Sequence, residues 1–203
     1  DWSSDVCSSD LLQYVVTTTL AGCTSSDTVR VVTGPVPVAE AGLAATYCSG
    51  QSANIGTTST SGYTYSWTPS TGLSSTTISD PVSAATNSGT TPLVINYSVV
   101  ATWFGCRDTD YVAITVNPLP ISNAGTNQLL CSGSTVQLGA ASTSGYTYSW
   151  SPATNLSDPS ISNPTLSDTI TAADPDTLQY TVTTTLNGCT TTDDVTVILS
   201  PVP

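Results

Sequence analysis

An all-β chain of tandem sandwiches is what the sequence predicts. Three observations carry the prediction: a residue composition that favours strands, a gapless internal repeat, and short runs that alternate apolar and polar residues. The 203 residues include 30 Ser and 38 Thr, while Glu occurs once and Lys and Met do not occur at all. Summed over any window, such a composition prefers pleated strand to helix.

The repeat orders everything else. Cys48, Trp67, Tyr97 and Cys106 recur as Cys131, Trp150, Tyr180 and Cys189, each displaced by 83 positions. Residues 37–119 align with 120–202 without a gap, and 34 of the 83 positions are identical. The longest shared run is STSGYTYSW, at Ser59–Trp67 and again at Ser142–Trp150. Residues 12–37 match 178–203 at 17 of 26 positions, two periods away. This predicts the C-terminal part of a truncated repeat at 12–37 and complete repeats at 38–120 and 121–203, within a longer protein. Residues 1–11, DWSSDVCSSDL, have no counterpart in either repeat and resemble a translated sequencing adapter. They are set aside from fold reasoning, and Cys7 within them is left unpaired.

Each complete unit reads as a small sandwich. In the second copy, Thr135–Ala140 alternates with period two, as a half-buried strand does. The run at Tyr146–Trp150 puts Tyr146, Tyr148 and Trp150 on one face and Thr147 and Ser149 on the other. Leu178–Leu186 and Asp194–Leu199 flank NGCTTTD, which reads as a hairpin. Between the tyrosine run and that hairpin, residues 151–168 are rich in turn formers with one or two short edge strands. About seven short strands, a central Trp and one Cys pair per unit point to an immunoglobulin-like sandwich.

Three features are expected to hold the unit together. Trp67 and Trp150 are the large anchors, each worth about 2–3 kcal/mol when buried; the rival role is an exposed platform for sugar rings. Cys48–Cys106 and Cys131–Cys189 are both 58 apart and fit one bridge within each repeat. Closing a loop of that length contributes on the order of 4 kcal/mol. Metal ligation finds no Cys-x-x-Cys spacing and no His. Cys23 would need a partner 58 residues upstream. The junctions Gly34–Pro37, Asn117–Pro120 and Ser200–Pro203 each carry Pro-x-Pro, which fixes φ and favours a semi-rigid connection.

Charge and residue inventory exclude several function classes. Fourteen acids against two bases give a net charge of −12, so nucleic acid and anionic lipid are not expected partners. No apolar run reaches the roughly 20 residues of a membrane-spanning helix, and no membrane insertion is expected. With neither His nor Lys, nothing activates the abundant hydroxyls as nucleophiles, so an enzyme is not expected. Asp108 with Asp110, and Asp193 with Asp194, are the nearest carboxylate pairs and read first as solvated turn residues. They are also the weak candidates for calcium, the one cofactor these hard oxygen ligands would suit. A sugar platform would draw on Tyr63, Tyr65, Trp103 or Tyr146.

The order Cys-Ser-Gly, Tyr-x-Trp, Tyr-x-Val, Asn-Gly-Cys, as in residues 124–158 and 180–197, resembles the Ig-like and PKD-like repeats of Bacteroidota surface adhesins. These adhesins are of the gliding-motility and type IX secretion kind. The resemblance covers nearly all of 12–203. It implies an extracellular, bacterial cell-surface location and an adhesive or spacer role, with neighbouring repeats as the first partners, and it implies no catalytic residue. The triplets Asp27–Val29, Asp168–Ile170 and Asp176–Leu178 resemble the O-glycosylation acceptor motif of that phylum, which marks Thr28, Thr169 and Thr177. The leading expectation is therefore a rod-like stalk segment of a large surface protein. The alternatives are a subunit of a self-assembling extracellular filament, since Lys-free sheet edges can pair, and a carbohydrate-binding module that grips surface glycans.

Overall fold

The computed structural model describes residues 11–32 and 36–202, and among these every regular element is a strand. In chain order these are β1 (Leu11–Leu20), β2 (Cys23–Val32), β3 (Ala45–Cys48), β4 (Ala53–Asn54), β5 (Thr64–Thr68), β6 (Val82–Ser83), β7 (Leu93–Trp103) and β8 (Cys106–Asn117). The second complete repeat contributes β9 (Gln128–Cys131), β10 (Thr135–Gln137), β11 (Thr147–Ser151), β12 (Thr165–Ser167), β13 (Asp176–Leu186) and β14 (Cys189–Ser200). The four-stranded sheets have the orders β3-β8-β7-β5 and β11-β13-β14-β9, and each is accompanied by a two-stranded sheet, β4-β6 or β10-β12. The pairing of β9 with β14 is parallel, with Cys131 opposite Ser200. All-β immunoglobulin-like sandwiches thus form as the composition and alternation predicted.

Six strands per complete repeat appear among the described residues, one fewer than the seven expected, and the reason is chemical. The segments after Pro37 and Pro120 run beside the last strand of their sandwich but are held by side chains instead of a backbone ladder. The N–H groups of Ala39 and Ala41 donate to the carboxylates of Asp108 (2.9 Å) and Asp110 (2.8 Å). In the second repeat Ala124 donates to Asp193 at 2.8 Å, and Thr191 takes the place of Asp108 by donating to the Pro120 carbonyl at 2.8 Å. The strand expected over Thr135–Ala140 stops at Gln137 because the next two amides turn to other partners. Leu138 N–H bonds to the Pro164 carbonyl and Gly139 N–H to that of Ala124.

Two compact units divide the chain. One comprises the chain up to Ala85 together with Val94–Thr115, the other Thr86–Leu93 together with Val116–Pro203. The short excursion at Thr86–Leu93 joins the second unit, where Asn87 donates to the carbonyls of Thr91 and Val116, both at 2.8 Å.

The core of the second unit gathers Leu130, Leu138, Trp150, Leu166, Tyr180, Val182, Val195, Val197 and Leu199. Trp67 and Trp150 are each 3% exposed, and each indole N–H is satisfied, by the Ile78 carbonyl at 2.8 Å and by that of Ile161 at 2.9 Å. Both are therefore interior anchors and not sugar platforms. Tyr97 and Tyr180 are buried beside them, and their hydroxyls donate to the carbonyls of Thr71 and Thr154. Burial is the main reason that both phenols titrate above the ordinary tyrosine value; a hydrogen bond with Ser83 partly offsets it at Tyr97, and the charge of Asp168 adds to it at Tyr180. A raised pKa means that the neutral form is the one the fold prefers. The associated stability is complete below pH ~10, where the unfolded phenol ionises, and is lost as pH rises through the folded values. A urea series between pH 8 and 12 should show a falling midpoint, less steep in Tyr180→Phe; a flat profile would contradict this.

Hairpin β1–β2 is paired through ten residue pairs from Leu11↔Val32 to Leu20↔Cys23, and among the described residues no further strand joins its sheet. Tyr14, Val16 and Val29 are 55%, 61% and 58% exposed, whereas their counterparts two periods on, Tyr180, Val182 and Val195, are at most 2% exposed. The sequence pattern of a core face is present, and among the described residues that face is exposed. A two-stranded hairpin alone is marginal in water.

Candidate functional site

Chemistry-bearing side chains concentrate at the hairpin pole of each sandwich, where β7 turns into β8 and β13 into β14. The turns are short because two successive residues adopt positive φ: Phe104 (46°) with Gly105 (85°), and Asn187 (49°) with Gly188 (81°). This is the geometry of the two-residue turn that suits the twist of a β-hairpin. It delivers Cys106 and Cys189 to the first position of the returning strand, where both are buried.

The aromatic residues of the first repeat pack on one another at this pole. The rings of Tyr63 and Trp103 lie 6.0 Å apart at 36°, those of Tyr63 and Tyr65 6.3 Å apart at 44°, and those of Trp103 and Phe104 5.0 Å apart at 64°. These tilts give a knuckle and not the flat face on which a pyranose ring stacks. Tyr65 also has a structural duty, because its hydroxyl accepts the Thr60 N–H at 2.9 Å. Tyr148 does the same for Thr143 at 2.9 Å. Tyr146, tilted 47° to Tyr148, lines a cleft of about 340 Å³ with Thr90, Ile121, Asn123 and Ser162. Phe104 was not singled out in the sequence, although it is the chain's only Phe. It stands 84% exposed where the other two hairpins carry Ala21 and Asn187, and that contrast was its one available signal.

The acidic candidates are spread along the last strand. Asp108, Asp110 and Asp193 each accept a linker amide, as described above, and Asp194 accepts the Thr181 hydroxyl across the β13–β14 pair. Among the described residues no three His, Cys, Asp or Glu side chains gather as a metal site. Of the four carboxylates on which a calcium reading would draw, Asp108, Asp110 and Asp193 tie the linker to its own sandwich and Asp194 ties β13 to β14. Thr28, Thr169 and Thr177 are all exposed. In each, the backbone N–H is held by the preceding aspartate, at 2.8, 2.7 and 2.8 Å.

The disulfide expectation needs correction. Cys131 is a free, exposed thiol, as is Cys23, whereas Cys48, Cys106 and Cys189 are disulfide-bonded. Cys131 and Cys189 therefore do not bridge, and the sheet explains why. Cys131 stands opposite Ser200, the last residue of β14, while Cys189 is the first. Eleven residues of strand separate the two ends, roughly 35 Å at the ordinary rise, against the 7 Å that a disulfide spans at most between Cα atoms. Cys7 lies outside the described residues.

No protein-family model matches the chain, and no curated protein does. Solved structures do resemble it. An E-to-A variant of the three-domain titin fragment I67–I69 is similar at 10% identity and a TM-score of 0.51, over 96% of this chain and 75% of that one. Extracellular domains 3–5 of Drosophila OTK are similar at 14% identity and a TM-score of 0.48, over 96% and 72%. An endo-fucoidan hydrolase of glycoside hydrolase family 107 is similar at 8% and 0.33, over 97% of this chain and 34% of that one. Of these, the titin likeness bears on the fold, and at such identity on the fold alone.

Proposed function

We propose that this chain is a non-enzymatic stalk segment of a large extracellular surface protein, in which immunoglobulin-like sandwiches are strung in tandem to hold an adhesive element away from the cell. The observation that supports it best is the linker chemistry. The junctions ending at Pro37 and Pro120 are each followed at once by amides seated on the aspartates of their own sandwich, which leaves little slack chain for a loose tether. The oxidised cysteines fit an exported protein, and the exposed Asp-Thr sites would carry O-glycans that shield the Lys-free edges. Neighbouring repeats are the partners, and calcium is not needed for the fold.

A filament subunit is the second reading, favoured by the uncovered core face of β1–β2. Negative-stain electron microscopy of the oxidised chain, with and without calcium, separates the two. Single short particles, unchanged by calcium, are expected for a stalk. Ordered fibres would make self-assembly the function, and fibres formed only with calcium would return Asp108, Asp110, Asp193 and Asp194 to the role of ligands.

A further inference from the structure

We propose that the second complete repeat carries a binding site for a neutral sugar: the cleft beside Tyr146 and Tyr148 takes one uncharged pyranose ring. The inference goes beyond the stalk reading, and neither depends on the other.

The cleft measures about 340 Å³, at the small end of the roughly 300–1,000 Å³ of ligand sites, which suits a single ring. Every residue that lines it belongs to the second compact unit. Its walls are of two kinds. The rings of Tyr146 and Tyr148, 6.5 Å apart and inclined at 47°, form a wedge, and Ala140 and Ala141 add methyl groups. These offer apolar surface to the C–H face of a sugar. Asn123, Thr143 and Ser162 add an amide and two hydroxyls, and among the described residues no charged side chain lines the cleft. A pyranose has the matching character, a C–H patch edged by hydroxyls. An anion finds no cation here, in a chain of net charge −12.

The polar groups are held in place and still have capacity. The side-chain oxygen of Asn123 accepts the Gly125 N–H at 2.9 Å, and among the described residues its amide N–H₂ has no acceptor. The Tyr148 hydroxyl accepts the Thr143 N–H at 2.9 Å and keeps its own proton to donate. Tyr146 is fixed by its backbone N–H, which donates to the Thr143 carbonyl at 3.1 Å. Its hydroxyl has no partner among the described residues. Ser162, only 6% exposed, donates to Asn163 Oδ1 at 3.3 Å and keeps its lone pairs for a donor. Groups fixed before a ligand arrives lose little freedom when it binds.

Comparison with the first repeat is an independent argument. Thr60, Tyr63, Tyr65 and Ser79 provide the same frame as Thr143, Tyr146, Tyr148 and Ser162, but the positions around it differ in one direction. Glu40 and Asp80 give way to Asn123 and Asn163, which removes two negative charges. Thr57 and Thr58 give way to Ala140 and Ala141, which removes bulk. Trp103, whose ring lies 6.0 Å from that of Tyr63, gives way to Leu186. The first repeat thus packs its tyrosine against an indole, where the second has none to cover Tyr146.

Amide NMR titration of the 203-residue chain with methyl glucoside, methyl galactoside and methyl mannoside tests the site, with glucuronate as the charged control. At least one neutral glycoside should shift the signals of Asn123, Thr143 and Tyr146. A Kd on the order of 1–10 mM is ordinary for a ligand of about 13 non-hydrogen atoms. Glucuronate should leave these signals in place. Tyr146→Ala should weaken binding about tenfold or more. Asn123→Glu should weaken it too and still fold, since the first repeat carries Glu40 at this position. Tyr63→Ala should leave binding unchanged. Unmoved signals with all three glycosides, equal binding of glucuronate, or full binding in either cleft variant would each overturn the site. If the dispersion of its spectrum shows that Tyr146→Ala does not fold, Asn123→Glu decides.

Discussion

Gly139→Ala is expected to unfold the second sandwich, at a cost of more than about 4 kcal/mol. Gly139 sits at φ 73°, and a Cβ there would lie 2.1 Å from the carbonyl oxygen of Ser162 and 3.0 Å from Cζ2 of Trp150. The left-handed conformation alone costs an alanine about 1–2 kcal/mol. The overlap with a backbone oxygen cannot be relieved by a rotamer change, so the two segments must part. They are the same segments that hold the indole of Trp150, whose N–H reaches the Ile161 carbonyl; separating them opens the core around the largest anchor. Hydrogen exchange followed by mass spectrometry would read the effect locally, as lost protection in Asp176–Leu186 with Leu93–Trp103 still protected. Retained protection in both would show that the backbone there yields more easily than close packing allows.

The same geometry recurs at Gly56, where the added Cβ would meet the Ser79 carbonyl oxygen at 2.0 Å and Cζ2 of Trp67 at 3.0 Å. This explains why a glycine survives at matching places in repeats that share fewer than half of their residues. Composition and periodicity made that much of the fold readable: strand content, the Trp anchors and the hairpins follow from local patterns that tertiary packing does not override. Strand polarity does not follow from such patterns. A spacing of 58 between cysteines is compatible with a bridge only if both lie at one pole, and the parallel placement of β9 on β14 puts them at opposite poles. The aspartates were legible as polar and misjudged in duty. Asp108, Asp110 and Asp193 look like solvated turn residues in a sequence because their partners, the amides of Ala39, Ala41 and Ala124, lie 69 residues away.

A coupled pair hidden in the non-identical positions gives the second large effect. In the first repeat the Tyr47 hydroxyl contacts Ser83 Oγ at 3.0 Å and accepts the Ala85 N–H at 2.9 Å, and Ser83 in turn reaches the Tyr97 hydroxyl at 3.2 Å. The second repeat places Leu130 and Leu166 at these positions, both buried. One sandwich therefore satisfies a buried polar network where the other packs two aliphatic side chains. Changing one member alone should be costly. Tyr47→Leu strips a partner from Ser83 and another from the Ala85 amide, for about 2–4 kcal/mol. Ser83→Leu forces bulk into a fully buried site while Tyr47 and Tyr97 keep their hydroxyls, for about 1–3 kcal/mol or more. The double variant recreates the pairing of the second repeat and should recover most of the loss, with a coupling energy of about 1–3 kcal/mol between the two sites. A residual deficit is expected from the Ala85 N–H, which the leucines cannot satisfy. Urea midpoints of the four proteins in the cycle supply the number. Strict additivity would mean that the two side chains contribute independently, and that the repeats exchanged their cores one residue at a time without an unstable intermediate.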